Sequence, residues 1–159
     1  MVAFSGVSHV ALTVTDLDSS ERFYTEVFDL IRLADFGVAR VLLDRQTGFM
    51  LSVVTHEAGN GGPFSELNTG MDHLGFIAEG RDELVEWEKK LEALGVVYTP
   101  IRDMEFGSHL NFRDPDNIAL ELNCSNEVMK GWLAELVERE IPADEREARL
   151  TEYLTSGAH

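Results

Sequence analysis

The 159-residue chain is poor in cysteine, in basic residues and in long apolar runs. Its single cysteine, Cys124, has no partner for an internal disulfide, so no covalent framework holds the fold. Lys and Arg number 13 against 29 Asp and Glu, a net charge of −16, which argues against a nucleic-acid partner because such binding draws on cations that neutralise phosphates. No apolar stretch approaches the roughly 18 residues of a spanning helix. The first residues, Met1 to Gly6, lack the basic start and apolar core of a secretory signal. The expectation is a soluble, cytoplasmic protein with neither a membrane nor a nucleic-acid partner. With 44% apolar residues, a chain of this length can bury roughly 70% of its unfolded surface in one domain.

What the chain does have is an internal repeat. A strand pattern over Ser8 to Val14 precedes an apolar helical face of Phe23, Tyr24, Val27 and Phe28, with Asp18 and Glu21 spaced as a capping box. A second strand pattern over Asp72 to Ala78 precedes a face of Leu84, Trp87, Leu91 and Leu94, stopped by Gly95. The expected N-caps are Asp18 and Asp82, each nine residues after a histidine. Three short strand patterns follow each helix, at about 31–36, 38–43 and 49–55, then 96–102, 108–113 and 118–123. Gly48 and Asn117 fall where tight turns call for positive φ.

The predicted fold is α+β: two βαβββ modules over about 5–57 and 71–124, a glycine-rich linker over about 58–70, and a helical tail over about 126–154 interrupted at Pro142. The linker reads as a flexible connection or flap rather than a phosphate-cradling loop, because no strand leads into it. The tail's stripe of Met129, Leu133, Leu136 and Val137 reads as a packing face for the sheet or a second subunit.

The two halves carry chemistry at matching places. His9 opens the first strand, His73 opens its copy, and Glu121 lies in the strand expected beside them. Period-two alternation sets His9 with Ala11 and Thr13, His73 with Gly75, and Glu121 with Ala119 and Asn123. Two imidazoles and a carboxylate among small neighbours form a donor set with room for a divalent cation and a ligand. Taken singly, each is as readily a structural residue, the histidines hydrogen-bonded and the glutamate paired with an arginine. His109 alternates with Asn111 and Arg113 and is the candidate proton-transfer residue, against the plain reading of a half-exposed strand-start histidine. His56 reads as a loop contact, His159 as a loose terminus and Cys124 as a small core residue.

The segments His9-Val-Ala-Leu-Thr-Val-Thr-Asp-Leu, Arg22-Phe-Tyr, Asp72-His-Leu-Gly-Phe and Asn111-Phe-Arg-Asp-Pro-Asp-Asn-Ile-Ala-Leu-Glu-Leu122 resemble the vicinal-oxygen-chelate superfamily. That superfamily includes glyoxalase I, fosfomycin-resistance enzymes, extradiol dioxygenases, methylmalonyl-CoA epimerase and bleomycin-binding proteins. The resemblance covers about residues 5–124. It implies paired βαβββ modules curving into an incomplete barrel around a divalent metal, commonly in a homodimer, with His9, His73 and Glu121 on three metal positions. The fourth position falls on Ser52, a weak donor, which counts against glyoxalase I and epimerase activities. The threonine and tyrosine of fosfomycin-resistance enzymes fall on Ala11 and Asn111.

The leading expectation is a metal-dependent enzyme acting on a small oxygen-chelating substrate, leaning to oxygenase chemistry with Fe(II), and with Mn(II), Zn(II) or Ni(II) as other metals. A Lewis-acid lyase or isomerase, or a fosfomycin-type thiol transferase, is the second expectation. A metal-free protein that sequesters an antibiotic is the third.

Overall fold

The computed structural model describes residues 4–156. The first module runs β1 (Val10–Thr13), α1 (Leu17–Phe28), β2 (Ile31–Asp35), β3 (Ala39–Leu43) and β4 (Met50–Val54). The second runs β5 (Leu74–Ile77), α2 (Arg81–Ala93), β6 (Arg102–Met104), β7 (Gly107–Arg113) and β8 (Ala119–Ser125). Each folds into one four-stranded sheet of identical topology, β1-β4-β3-β2 and β5-β8-β7-β6, with the outermost pairs β1/β4 and β5/β8 parallel. The expected α+β fold of two βαβββ modules and a helical tail is what the chain adopts, and its two sheets remain separate rather than closing into a barrel.

Alternation decides which face of each sheet is buried. Leu12, Leu42, Leu51 and Val53 of the first sheet, and Leu110, Phe112, Leu120 and Leu122 of the second, point to the helices and are buried. These residues belong to one apolar cluster spanning both modules. Phe28 at the end of α1 joins the halves by meeting Phe76, Trp87 and Phe112, with ring centroids 4.4, 5.6 and 6.0 Å away. The opposite faces stay open: Ala11, Thr13, Gly75 and Ile77 are exposed, and Ser52 and Glu121 are half-buried.

Polar bonds between distant residues fix the two modules in register. The turn at Asp114 to Asn117 is closed by Asp114 Oδ1, which accepts from the Asp116 and Ile118 amides at 2.9 and 2.8 Å. Asn117 there takes φ 65°, the positive value expected of it, as does Gly48 at 75°. From this turn, Asp116 accepts from the Thr15 amide at 3.0 Å and Asp114 accepts from the Tyr24 hydroxyl at 3.0 Å. Burial raises the Asp114 carboxyl above its ordinary pKa, and burial plus that neighbouring carboxylate push the Tyr24 phenol well above its own.

The structure corrects three local expectations. The α1 N-cap is Asp16, which accepts from the Ser19 amide at 2.7 Å; Asp18 sits in the first turn and pairs instead with Arg40 at 2.6 Å. The α2 N-cap is Gly80, with Asp82 and Glu83 in the first turn, where negative charge complements the helix dipole. No continuous strand covers 96–102: Tyr98 makes an isolated bridge to Phe112, and pairing resumes only at Arg102. Pro100 lies between these points and has no amide to donate to a ladder.

The linker is docked rather than free, since the Phe64 amide donates to Asp116 O at 2.8 Å and Asn117 donates to Phe64 O at 2.8 Å. The tail forms α3 (Glu127–Glu138) and α4 (Ala143–Ser156), separated near Pro142. It packs on the β6–β7 turn: Tyr153 and Asn126 both donate to Glu105 O, and Phe106 meets the rings of Trp132 and Tyr153.

Removing the Tyr24 hydroxyl leaves Asp114 buried without that donor. Tyr24→Phe is therefore expected to cost about 1–3 kcal/mol. Urea unfolding should show a lower midpoint at an unchanged slope, and an unmoved midpoint would contradict the role assigned to this bond.

Candidate metal centre

His73 immediately precedes β5, and Glu121 is the third residue of β8. The parallel register sets Gly75 opposite Glu121, so the chain reaches the glutamate's level two residues after His73. His73 Nε2 stands 4.0 Å from Glu121 Oε1. Donors that bind one divalent ion at about 2.0–2.2 Å lie about 3–4 Å apart, so this pair fits a shared cation. Asp72 Oδ1 lies 2.6 Å from His73 Nδ1. An ionised carboxylate only accepts, so Nδ1 is the donor to Asp72 and Nε2 is the nitrogen turned toward Glu121. A carboxylate behind a ligating histidine fixes its tautomer and ring orientation in this way.

Both oxygens of Glu121 have a close polar neighbour. Asn123 Nδ2 donates to Oε1 at 3.2 Å, and His109 Nδ1 lies 3.3 Å from Oε2. Gly75 leaves the space this requires, because a Cβ there would stand 3.2 Å from the Asn123 amide nitrogen and 3.9 Å from Glu121 Oε1. The other nitrogen of His109, Nε2, is buried and has no hydrogen-bond partner. The neighbours that hold the site are thus Asp72 and Asn123, to which the sequence reading gave no role. Their signals were adjacency to His73 and an i+2 spacing from Glu121.

His9 occupies the matching place in the first module, one residue before β1, with Ser8 Oγ 2.9 Å from its Nδ1. Ala11 pairs with Ser52 as Gly75 pairs with Glu121, so Ser52 is the register equivalent of the glutamate. Among the described residues no group of three or more His, Cys, Asp or Glu side chains gathers to hold a cation. A single chain thus brings His73 and Glu121 together and leaves His9 apart. His56 lines a separate cavity of about 460 Å³ under the glycine-rich linker, Cys124 is buried on the core side of β8, and His159 lies outside the described residues.

The charged neighbours on the open face of the second sheet are Arg102 and Arg113. Arg102 lies across from His109 in register and is exposed. Arg113 is committed to Glu66 of the linker, at 2.7 Å.

Residues 6–122 match the Glyoxalase/Bleomycin resistance protein/Dioxygenase superfamily, and the chain belongs to it. Among curated relatives, the fosfomycin resistance protein FosX of Listeria innocua is 26% identical over 122 residues, covering 76% of this chain and 90% of that protein. Among solved structures, a glyoxylase/bleomycin resistance protein/dioxygenase domain from Frankia sp. EAN1pec is 38% identical, with a TM-score of 0.72 over 79% of this chain and 95% of that one. A glutamate-to-glutamine mutant of FosX from Listeria monocytogenes, complexed with Mn(II) and 1S,2S-dihydroxypropylphosphonic acid, shares the fold at 23% identity and a TM-score of 0.62, over 80% and 96% of the two chains. The superfamily match ends before α3 and α4.

The Arg113 hydrogen bond holds the Glu66 carboxyl down at about 2, against an ordinary 4.5. A carboxyl lowered on folding stabilises the fold fully above its unfolded pKa and loses that contribution as pH falls through the folded one. The pair should therefore weaken between pH 4.5 and about 2. Arg113→Gln is expected to lose less stability than the parent across that window in urea titrations at stepped pH. Parallel losses would contradict the pairing.

Proposed function

We propose that this chain is a divalent-metal-dependent enzyme of the superfamily, active as a homodimer, and that its substrate presents two adjacent oxygens. The metal is held by His73 and Glu121 of one protomer and His9 of the other. The observation that carries this reading is the pre-set carboxylate: Glu121 accepts from Asn123 through Oε1, has His109 beside Oε2, and lies 4.0 Å from the nitrogen of a histidine whose other nitrogen meets Asp72. A second copy is called for because one chain leaves His9 apart and both sheet faces that bear ligands open.

A divalent cation bound there supplies Lewis-acid polarisation of a substrate oxygen. The residues do the rest. Asp72 keeps His73 in the ligating tautomer, Asn123 restrains one Glu121 oxygen, and the half-buried His109 stands against the other as the group that holds or moves a proton. Ala11 and Gly75 leave the adjoining volume clear.

The relatives add weight to the Lewis-acid alternative over the oxygenase lean, since FosX is crystallised with Mn(II) and a phosphonate carrying adjacent hydroxyls. Fosfomycin itself fits less well. Ala11 and Asn111 stand where fosfomycin-resistance enzymes have hydroxyl side chains, and both lie on the open faces that bear the ligands. Filled ligand positions count against a metal-free sequestering protein.

Elemental analysis of untagged protein, purified without added metal, tests the proposal beside His9→Ala, His73→Ala and Glu121→Ala. Near-stoichiometric manganese, zinc or nickel, lost in all three variants, is the expected result; iron would restore the oxygenase reading. His109→Gln should retain the metal, which separates a proton-moving role from ligation. No metal in the parent after reconstitution would leave a binding protein.

A further inference from the structure

We infer that the substrate is amphipathic, with an oxygen-chelating end and an alkyl or aryl body that lies on the open face of the first sheet. This rests on the metal site proposed above. Whatever ion His9 helps to hold, the sheet that carries His9 forms one wall beside it, and the registers specify that wall. Ala11 lies against Ser52, Ser52 against Val41, and Thr13 against Val54, which is followed by Ala39. No charged side chain from β1, β3 or β4 stands on this face.

The charges of the first sheet are all on its other side. Arg32 and Arg40 are opposite Leu42 and Val53, which point to the core, and Asp35 is opposite Arg40. All three lie in a network with α1, Arg40 reaching Glu21 at 2.7 Å and Asp35 at 3.2 Å. The second sheet is the reverse case. Its open face holds His109, Asn111, Arg113, Glu121 and Asn123, together with Arg102 across from His109.

An uncharged wall and a polar wall do not complement each other as a dry protein interface, since polar groups buried against apolar ones lose their water without replacement. A small molecule with one polar and one apolar end satisfies both. A compact, fully charged phosphonate would set its charge against Val41 and Ala11, where nothing pairs with it. The wall therefore selects for the apolar body, while the metal and the second sheet take the oxygens.

Two hydroxamates separate the possibilities, because both offer the same pair of adjacent oxygens and differ in a methyl against a phenyl body. Calorimetric titration of the Mn(II)-loaded full chain is expected to show benzohydroxamate binding about tenfold or more tighter than acetohydroxamate, as burial of the larger apolar area requires. Val41→Thr, which is nearly isosteric, should cut that preference severalfold and leave Mn(II) affinity and dimer mass unchanged; Val41→Asp should abolish it. Mn(II) binding with equal hydroxamate affinities would overturn this inference and leave the metal site standing. A preference that Val41→Thr leaves intact, or a variant that changes dimer mass instead, would equally overturn it by assigning the face to something other than substrate. Failure of Mn(II) to bind would remove both.

Discussion

Everything about this protein's site follows from burial on one side of each sheet. Helices α1 and α2 and the rings around Phe28 gather one face of both sheets into a shared core. Strand alternation then commits every second residue to the opposite, open face. The chain uses that face for Glu121, for the residues that restrain it and for the small side chains around it. A one-residue slip in β8 would bury the carboxylate and expose Leu120 and Leu122, so packing and chemistry are specified by the same register. The bonds from Tyr24 to Asp114 and from Thr15 to Asp116 secure the relation between the modules that the core requires.

The two modules have kept a common backbone and divided the chemistry. Both start with a histidine whose Nδ1 meets an oxygen of the preceding residue, Ser8 in one and Asp72 in the other. At the next shared position one presents Ser52 and the other Glu121. The result is an uncharged sheet face with one imidazole at its edge, and a polar face with an imidazole, a carboxylate and the amide that restrains it. In the proposed dimer these unlike faces meet. That arrangement gives a metal three protein donors, and gives a substrate one wall of each kind.

Much of this was legible in the sequence because it depends on periodicity. The repeat, the apolar faces of α1 and α2, the break at Pro142 and the register of Ser52 with Glu121 are all spacing properties, and the structure shows each of them; the tail's stripe is the exception, since Leu133, Leu136 and Val137 of α3 are exposed. Helix starts were misplaced by two residues because Asp16 and Asp18 are equally good caps in sequence. Only the path of the chain after Thr15 lets Asp16 reach the Ser19 amide and turns Asp18 toward Arg40. The strand expected over 96–102 failed at Pro100, where an apolar pattern carried no information about a missing donor. The hold on Glu121 was harder to read, since the His109 contact depends on β7 and β8 lying side by side. Whether His9 joined the others was a question of assembly, on which local sequence is silent.

The central claim is a metal site built from two protomers, and subunit mixing tests it most directly. His9→Ala and His73→Ala protein would each be stripped of metal, unfolded and refolded together in equal amounts, and the mixture assayed for tightly bound divalent metal. A shared site predicts that neither variant alone binds metal. The mixture should regain about a quarter of the parent's sites, since half the dimers are mixed and each mixed dimer has one intact set. Metal retained by either variant alone, or none regained on mixing while refolded parent binds fully, would contradict the account.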